Sequence, residues 1–348
     1  MDPSRPFRDL EAVPFESTWR SPANIAFVKY WGKKGHQLPA NPSVSMTLKE
    51  CYTQSRVSFK ESADLSVELV LAGTREERFA GKIEQYLRKL AQELPWLGRV
   101  CVRIETKNTF PHGAGIASSA SGLSAFALAL TDYLYFLADL PRDEGFYQRA
   151  SHFARLASGS ACRSVYGGYT TWGESKLPGS SDLFATPFDV HPELTHLMDT
   201  VLVISDKEKD ISSRAGHDRM TEHSFAQARF VQAKENFDRM VAAMKGGDLA
   251  EVGRILELEA LSLHAMMMTS PESYTLLKPN SIHAMDMIRK FRQETKLPLY
   301  FTLDAGPNLH LIYPDTLKHK INPFITHELA SISLNIIDDH VGSGPLKC

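Results

Sequence analysis

The chain has few cysteines, and none of them form a metal-binding or redox pair. Its 348 residues include Cys51, Cys101, Cys162 and Cys348, and no C-x-x-C spacing occurs. This absence leaves the common zinc and thiol-redox motifs without support. Four cysteines without a pattern are typical of a protein from a reducing compartment. We therefore expect a cytoplasmic location.

A surplus of positive charge is also lacking. The chain has 39 Lys and Arg against 41 Asp and Glu, which gives a formal net charge of −2. Nucleic-acid-binding proteins usually show a basic surplus, so we expect no nucleic-acid partner. The balance still allows local basic pockets for an anionic substrate.

Neither an apolar leader nor a long unbroken apolar run is present. Residues 1–20 mix Arg with four acidic residues, unlike a signal or transit peptide. The longest apolar stretch, 123–138, contains Thr131 and Asp132, and we interpret it as too short to span a bilayer. We expect no membrane partner.

A Walker phosphate loop is absent too, because no G-x-x-x-x-G-K-[ST] motif occurs. Residues 111–122 instead read P-H-G-A-G-I-A-S-S-A-S-G, just before an apolar helical pattern. Small residues let the backbone approach a ligand, and the free N–H groups at a helix start bind phosphate. The glycines alone are equally compatible with a flexible turn. Ser118 and Ser119 at the helix start favour a phosphate site.

Hydrophobic periodicity predicts a mixture of strands and helices. The predicted strands are 54–59, 66–71, 99–106, 201–205, 299–303 and 309–313. The predicted helices are 82–94, 123–138, 145–156, 225–245, 249–267 and 281–294. Asp248 is the predicted N-cap between the two longest helices. The inward face of the last helix is predicted to carry Ile282, Met285, Ile288 and Phe291.

The order of these elements predicts an α+β fold, because strands and helices do not alternate regularly. Residues 173–194 are rich in Ser, Pro and Asp and predict a long loop. The length suits two lobes, which we place at residues 1–195 and 196–348. A cleft between two lobes is a common ligand position.

Several polar residues are candidates for chemistry, each with a plain structural alternative. Lys29 and Lys33 could neutralise an anion, or could be a solvated surface pair. Arg163 could hold a carboxylate or phosphate in two hydrogen bonds, or could lie on a glycine-rich turn. Asp304 ends an apolar strand, from which it could project into a cleft, although Asp is common in turns.

Three further residues belong to this group. Ser213 and Arg214 lie in the stretch D-I-S-S-R-A-G and could form another anion-binding loop. Cys162 lies beside Arg163 but has no acyl-transfer motif around it, so we predict a buried, inert thiol.

Five separated motifs together resemble the mevalonate diphosphate decarboxylase family of the GHMP kinase superfamily. They are, in this order, N-I-A-x-x-K-Y-W-G-K, P-x-x-x-G-I-A-S-S-A, G-S-A-C-R-S, D-x-S-S-R and D-A-G-P-N. The resemblance runs from Ser21 to about Pro345. The resemblance implies a two-lobed GHMP-kinase fold, with a ribosomal-protein-S5-domain-2-like N-terminal lobe and a ferredoxin-like C-terminal lobe. It also implies a homodimer.

The resemblance further implies ATP-dependent decarboxylation of mevalonate 5-diphosphate to isopentenyl diphosphate, with Mg2+. By this resemblance Asp304 contacts the C3 hydroxyl as base or orienting group, Lys29 supports it, and Arg163 holds the substrate carboxylate. The other substrate anchors implied are Tyr30, Lys33, Ser160, Ser213 and Arg214. The nucleotide site implied comprises Asn108, Gly113, Gly115, Ala117, Ser118, Ser119 and Ser121, with Ser118 and Ser119 also near the metal.

Two departures from the family pattern occur. The phosphate loop begins P-H-G-A where many members have P-T-A-A, which leaves the nucleotide base preference open. His217 follows Gly216 where many relatives carry Met. Three alternatives stay open: a decarboxylase of mevalonate 5-phosphate, a GHMP small-molecule kinase that does not decarboxylate, and a GHMP-fold binding protein without catalysis.

Overall fold

A computed structural model describes residues 7–110, 118–207 and 211–348. The strands are β1 (Phe15–Val28), β2 (Lys33–Lys34), β3 (Leu38–Pro39), β4 (Ser43–Glu61), β5 (Ser66–Leu71), β6 (Thr74–Arg75), β7 (Val100–Asn108), β8 (Tyr169–Trp172), β9 (Thr186–Pro187), β10 (Leu197–Val203), β11 (Tyr300–Thr302), β12 (Leu309–Pro314), β13 (Asn335–His340) and β14 (Leu346–Lys347). The helices are α1 (Glu77–Leu90), α2 (Ser118–Leu137), α3 (Glu144–Ala157), α4 (Ser213–Arg219), α5 (Ala226–Gly246), α6 (Leu249–Met268), α7 (Pro279–Thr295) and α8 (Lys318–His327). The predicted mixed α/β architecture is confirmed.

Strands from the first half of the chain, together with β14 near its end, form a large sheet in the order β14-β1-β4-β7-β5-β6, in which β8 pairs with β4 and β9 pairs with β8. Strands β1 and β4 pair antiparallel over most of their length, with register shifts at Pro22/Asn24 and Ala26/Val28. Such bulges bend a strand and redirect its side chains. The second shift lies immediately before Lys29.

Helix α2 packs against β1 and β4 in the core of this lobe. Its segment Ser119–Leu137 has a mean hydropathy of 1.3 and is long and apolar enough to cross a membrane by length and composition, alone among the described helices. The expectation that this stretch is too short is therefore wrong, because the helix begins before residue 123. However, 83% of the segment is buried inside the protein, as expected for a core helix.

The second sheet is smaller and antiparallel, with the order β11-β12-β10-β13. Apolar residues of its strands form a core with α6, α7 and α8. Asp248 caps α6 as predicted, since its side chain accepts the Glu251 N–H at 3.0 Å. The prediction for Ile282 is wrong, since this side chain is 46% exposed. The buried face of α7 runs along Ser281, Ala284, Met285 and Ile288, and Ile282 lies beside that face.

The two sheets are joined by shared core and by the end of the chain. Residues of β1 and β4 pack in one apolar cluster with residues of β10, α5 and α6. Asp339 on β13 accepts the backbone N–H groups of Lys49, Glu50 and Cys51, and β14 returns to pair with β1. The division at residue 195 stays a prediction.

Candidate active site

A lysine–aspartate ion pair lies where the two sheets meet. Lys29 follows the end of β1, and Asp304 follows β11 at the start of a turn. The Lys29 Nζ is 2.8 Å from the Asp304 Oδ1 and also donates to the Ala26 carbonyl at 2.7 Å. The Lys29 side chain is 2% exposed, whereas that of Asp304 is 26% exposed. The carboxylate is therefore the open end of the pair.

The electrostatics of this pair keep Asp304 ionised. Burial pushes the pKa of Asp304 upward, but the charge and hydrogen bond of Lys29 outweigh it, so the pKa lies below its ordinary value. Burial lowers the pKa of Lys29, and Asp304 opposes that change. A carboxylate held in this state accepts hydrogen bonds and contributes negative charge.

Arg163 is held by two residues of the first sheet. It lies in a short 3-10 turn, Gly159–Val165, and is 3% exposed. Its Nε donates to the Asn24 Oδ1 at 3.2 Å and its Nη1 to the Ser43 Oγ at 2.9 Å. These bonds use two of the five guanidinium N–H donors. Arg163 also interacts electrostatically with Asp304.

Tyr30 lies beside this turn in an aromatic group. Its ring centroid is 4.6 Å from that of Trp172 and 4.3 Å from that of His217. A Cβ at Gly159 would come within 2.8 Å of the Tyr30 hydroxyl, so the close approach requires glycine. The Tyr30 hydroxyl is buried and has no hydrogen-bond partner within the described part of the chain. Burial raises the pKa of Tyr30, so the hydroxyl keeps its proton and can donate a hydrogen bond to a ligand oxygen.

Lys33, on β2, extends the positive charge toward α4. Burial lowers the pKa of Lys33, the negative charge of Asp218 raises it, and the positive charge of Arg214 lowers it further. The charges of Lys33, Asp218 and Arg214 therefore lie near one another. Ser213 and Arg214 are exposed. They were predicted in a loop, but they begin α4, whose N-cap is Ser212. Ser160 is half-buried in the turn that carries Arg163.

The nucleotide residues predicted from the small-residue loop are only partly described. Gly113, Gly115 and Ala117 lie outside the described residues, as does the Ser118 side chain. Ser119 is exposed in the first turn of α2. The other two predicted residues, Asn108 and Ser121, both contact Thr53. The Thr53 hydroxyl donates to the Asn108 Oδ1 at 2.8 Å and lies 2.7 Å from the Ser121 Oγ.

The Cys162 thiol is buried as predicted, with 0% exposure. Burial raises the pKa of Cys162 to about 12, which disfavours the reactive thiolate. No group of three or more His, Cys, Asp or Glu side chains able to hold a metal ion occurs among residues 7–110, 118–207 and 211–348.

Comparison with known proteins supports the motif analysis. Residues 21–185 match the diphosphomevalonate decarboxylase-like N-terminal domain, and residues 199–341 match the mevalonate 5-diphosphate decarboxylase C-terminal domain. The diphosphomevalonate decarboxylase of Debaryomyces hansenii is 30% identical over 335 residues, which cover 92% of this chain and 84% of the relative. The chain belongs to the diphosphomevalonate decarboxylase family.

Other members agree. The diphosphomevalonate decarboxylase of Saccharomyces cerevisiae is 30% identical over 330 residues, or 90% of this chain and 81% of the relative. The solved mevalonate diphosphate decarboxylase from Staphylococcus aureus superposes with a TM-score of 0.84 at 29% identity, covering 97% of this chain and 98% of that one. A solved complex of MDDEF with MVAPP, AMPPCP and magnesium has a TM-score of 0.83 at 30% identity. The match covers 97% of this chain and 99% of that one.

The structure adds residues that the sequence analysis missed. Asn24 and Ser43 hold the Arg163 side chain. Asn24 lies inside the N-I-A-x-x-K motif, so the motif itself was a signal for it. Glu259 and His264 contact the backbone of Lys29 and Asp304, and no local pattern marks either residue.

Proposed function

We propose that the chain catalyses ATP-dependent decarboxylation of mevalonate 5-diphosphate, giving isopentenyl diphosphate, ADP, phosphate and CO2. The observation that carries this proposal is the Lys29–Asp304 pair, 2.8 Å apart, together with the Arg163 guanidinium, which is held by Ser43 and interacts electrostatically with Asp304. The solved MDDEF complex contains MVAPP, AMPPCP and magnesium. These ligands support the choice of mevalonate 5-diphosphate as substrate and of ATP as nucleotide.

The site's charges suit the two stages of this reaction. Asp304 accepts the hydrogen bond of the C3 hydroxyl and orients its oxygen toward the γ-phosphate, because phosphoryl transfer depends mainly on positioning. The C3 oxygen bonds to the γ-phosphorus as the bond to the bridging oxygen of ADP breaks. The hydroxyl proton passes by way of the Asp304 carboxylate to solvent, so the carboxylate is ionised again for the next step. The pKa of Asp304 lies below its ordinary value, which favours orientation and charge stabilisation over storage of a proton.

Decarboxylation follows from the leaving group thus made. The C3–O bond breaks, phosphate leaves with the electron pair, and positive charge develops at C3. The electrons of the bond between C2 and the carboxylate carbon then form the C2–C3 double bond, and CO2 leaves. Asp304 stabilises the positive charge. Arg163 holds the substrate carboxylate in line with it.

The residues present fit ATP and Mg2+. Ser119 is exposed at the first turn of α2, where a helix N-terminus favours phosphate. Mg2+ is usually held by few protein ligands together with substrate phosphates, so the absence of a metal-ligating cluster in the described residues is compatible with it. When bound, Mg2+ neutralises charge on the phosphates.

Finer features of the family are proposed as well. The connection order β10, helices, β11, β12, α8, β13, with sheet order β11-β12-β10-β13, supports a ferredoxin-like C-terminal lobe. The motif resemblance supports an S5-domain-2-like N-terminal lobe, a boundary near residue 195 and a homodimer. The cysteine usage supports a cytoplasmic location.

A substrate comparison tests the proposed function. The purified protein with ATP and Mg2+ is given mevalonate 5-diphosphate, mevalonate 5-phosphate or mevalonate, and ADP, phosphate and CO2 are measured. Equal amounts of ADP and CO2 with the diphosphate alone support the proposal. Release of CO2 mainly from the monophosphate would identify mevalonate 5-phosphate as the substrate instead. Formation of ADP without CO2 would indicate a kinase, and no formation of ADP would indicate a binding protein.

A further inference from the structure

Helix α6 contacts both members of the Lys29–Asp304 pair. Glu259, on this helix, accepts the backbone N–H of Lys29 at 2.9 Å. His264, five residues further along, lies with its Nε2 3.1 Å from the backbone carbonyl oxygen of Asp304. Because a carbonyl only accepts, the His264 Nε2 carries the proton in this bond. Glu259 and His264 are 0% and 1% exposed.

Glu259 is itself fixed by a buried network. The Arg229 guanidinium donates to both of its oxygens, at 3.1 and 2.6 Å, and the Asn236 amide donates to Oε1 at 2.6 Å. Arg229 and Asn236 belong to α5 and are each 3% exposed. These three bonds hold the Glu259 carboxylate in place, although the buried Arg229 Nε has no hydrogen-bond partner within the described part of the chain. The Lys29 backbone is therefore tied to the α5–α6 hairpin.

The Asp304 backbone is fixed in the same way from the other side. Its carbonyl accepts the Gly306 N–H at 2.7 Å within the turn, in addition to the His264 bond. The carbonyl therefore points into the protein while the carboxylate stays on the open side. Side chains that react need this kind of support, since a displacement of about 1 Å can cost on the order of a hundredfold in rate.

We propose that Glu259 and His264 are positioning residues that set the Lys29–Asp304 pair from a single helix, one through the lysine N–H and the other through the aspartate carbonyl. The inference rests on the proposed function of that pair. Since the two strands that deliver the pair lie in different sheets, one rigid helix bonded to both fixes their separation.

The test uses three full-length variants. His264→Leu removes the donor to Asp304, and His264→Gln keeps an N–H donor in a side chain of similar reach. His223→Leu is the matched control: His223 is 5% exposed, and its Nε2 lies 3.0 Å from the Met266 carbonyl near the end of the same helix, so this bond is to neither member of the pair. Thermal unfolding, kcat, and KM for mevalonate 5-diphosphate and ATP are measured for each.

We expect His264→Leu to lose kcat about ten- to a hundredfold, with each KM changed less than about threefold because it touches neither ligand. His264→Gln restores kcat to within about threefold of wild type, and His223→Leu loses stability without this loss of kcat. The inference is overturned if His264→Leu keeps its kcat, if His223→Leu loses as much, or if the glutamine fails to rescue. Absence of CO2 release by the wild type is a different outcome, which rejects the proposed function itself.

Discussion

Acid destabilisation of the fold follows from the burial of His217. Its ring lies against Tyr30 and Trp31, with centroid distances of 4.3 and 4.5 Å, and its Nδ1 accepts the Gly32 N–H at 3.0 Å. Burial, followed by the charges of Lys33 and Arg163, lowers the pKa of His217 to about 3. Protonation would both charge the buried ring and remove the acceptor.

The sign and size of the effect follow from linkage. In the unfolded chain a histidine has a pKa of about 6.5, so between that value and about 3 the unfolded state binds the extra proton. The free energy of unfolding therefore falls as the pH falls. Between pH 7 and pH 5 the contribution of His217 falls by about 2 kcal/mol.

Urea unfolding of the wild type and His217→Met at the two pH values measures this term. All other titrating groups are shared, so the difference between the two pH-dependent losses isolates His217. We expect the wild type to lose about 2 kcal/mol more than the variant. The same substitution at the exposed His319 controls for the exchange itself. Equal losses in wild type and His217→Met would refute the reasoning.

Three further variants, one of them with a matched control, probe capping, a buried ion pair and close packing, each by urea unfolding. Asp248→Ala removes the N-cap of α6 and should cost about 1 kcal/mol; no measurable loss would contradict the capping. Arg229→Met leaves Glu259 buried without its cation and should lower the free energy of unfolding by about 3–5 kcal/mol. The control Arg88→Met, in an exposed pair, should lower it by less than about 1 kcal/mol. Similar losses in the two variants would be inconsistent with the difference in burial. A Cβ at Gly216 would lie 2.5 Å from an aromatic carbon of Trp31, so Gly216→Ala should destabilise the fold by about 1–3 kcal/mol, and a neutral result would contradict this close packing.

Sequence reasoning succeeded where the chain's own periodicity carried the signal. The helical hairpin was predicted at 225–245 and 249–267 and is observed at Ala226–Gly246 and Leu249–Met268, because Gly247 and Asp248 mark the break. Strand β5 was predicted with its observed bounds. The whole of β1 was missed. Its second half is buried on both faces, so polar and apolar residues do not alternate along it.

The site itself combines residues that are distant in the sequence. Lys29 and Asp304 are 275 positions apart, and motif order, not local pattern, indicated that they act together. Glu259 and His264 lie inside an apolar helix where nothing local distinguishes them from ordinary helical residues. Their partners become evident only when α6 packs against β1 and β11, which no single segment specifies.

Replacement of the Asp304 carboxylate tests the central claim most directly. The measurement is CO2 release from mevalonate 5-diphosphate by Asp304→Asn, with ATP binding measured on the same protein. The surface variant Asp238→Asn, from an exposed pair with Lys176, serves as control. We predict that Asp304→Asn falls below about one hundredth of the wild-type rate while ATP binding stays near normal. Retention of more than about a tenth of the rate would contradict the assignment of Asp304 as the carboxylate that orients the C3 hydroxyl and stabilises the charge at C3.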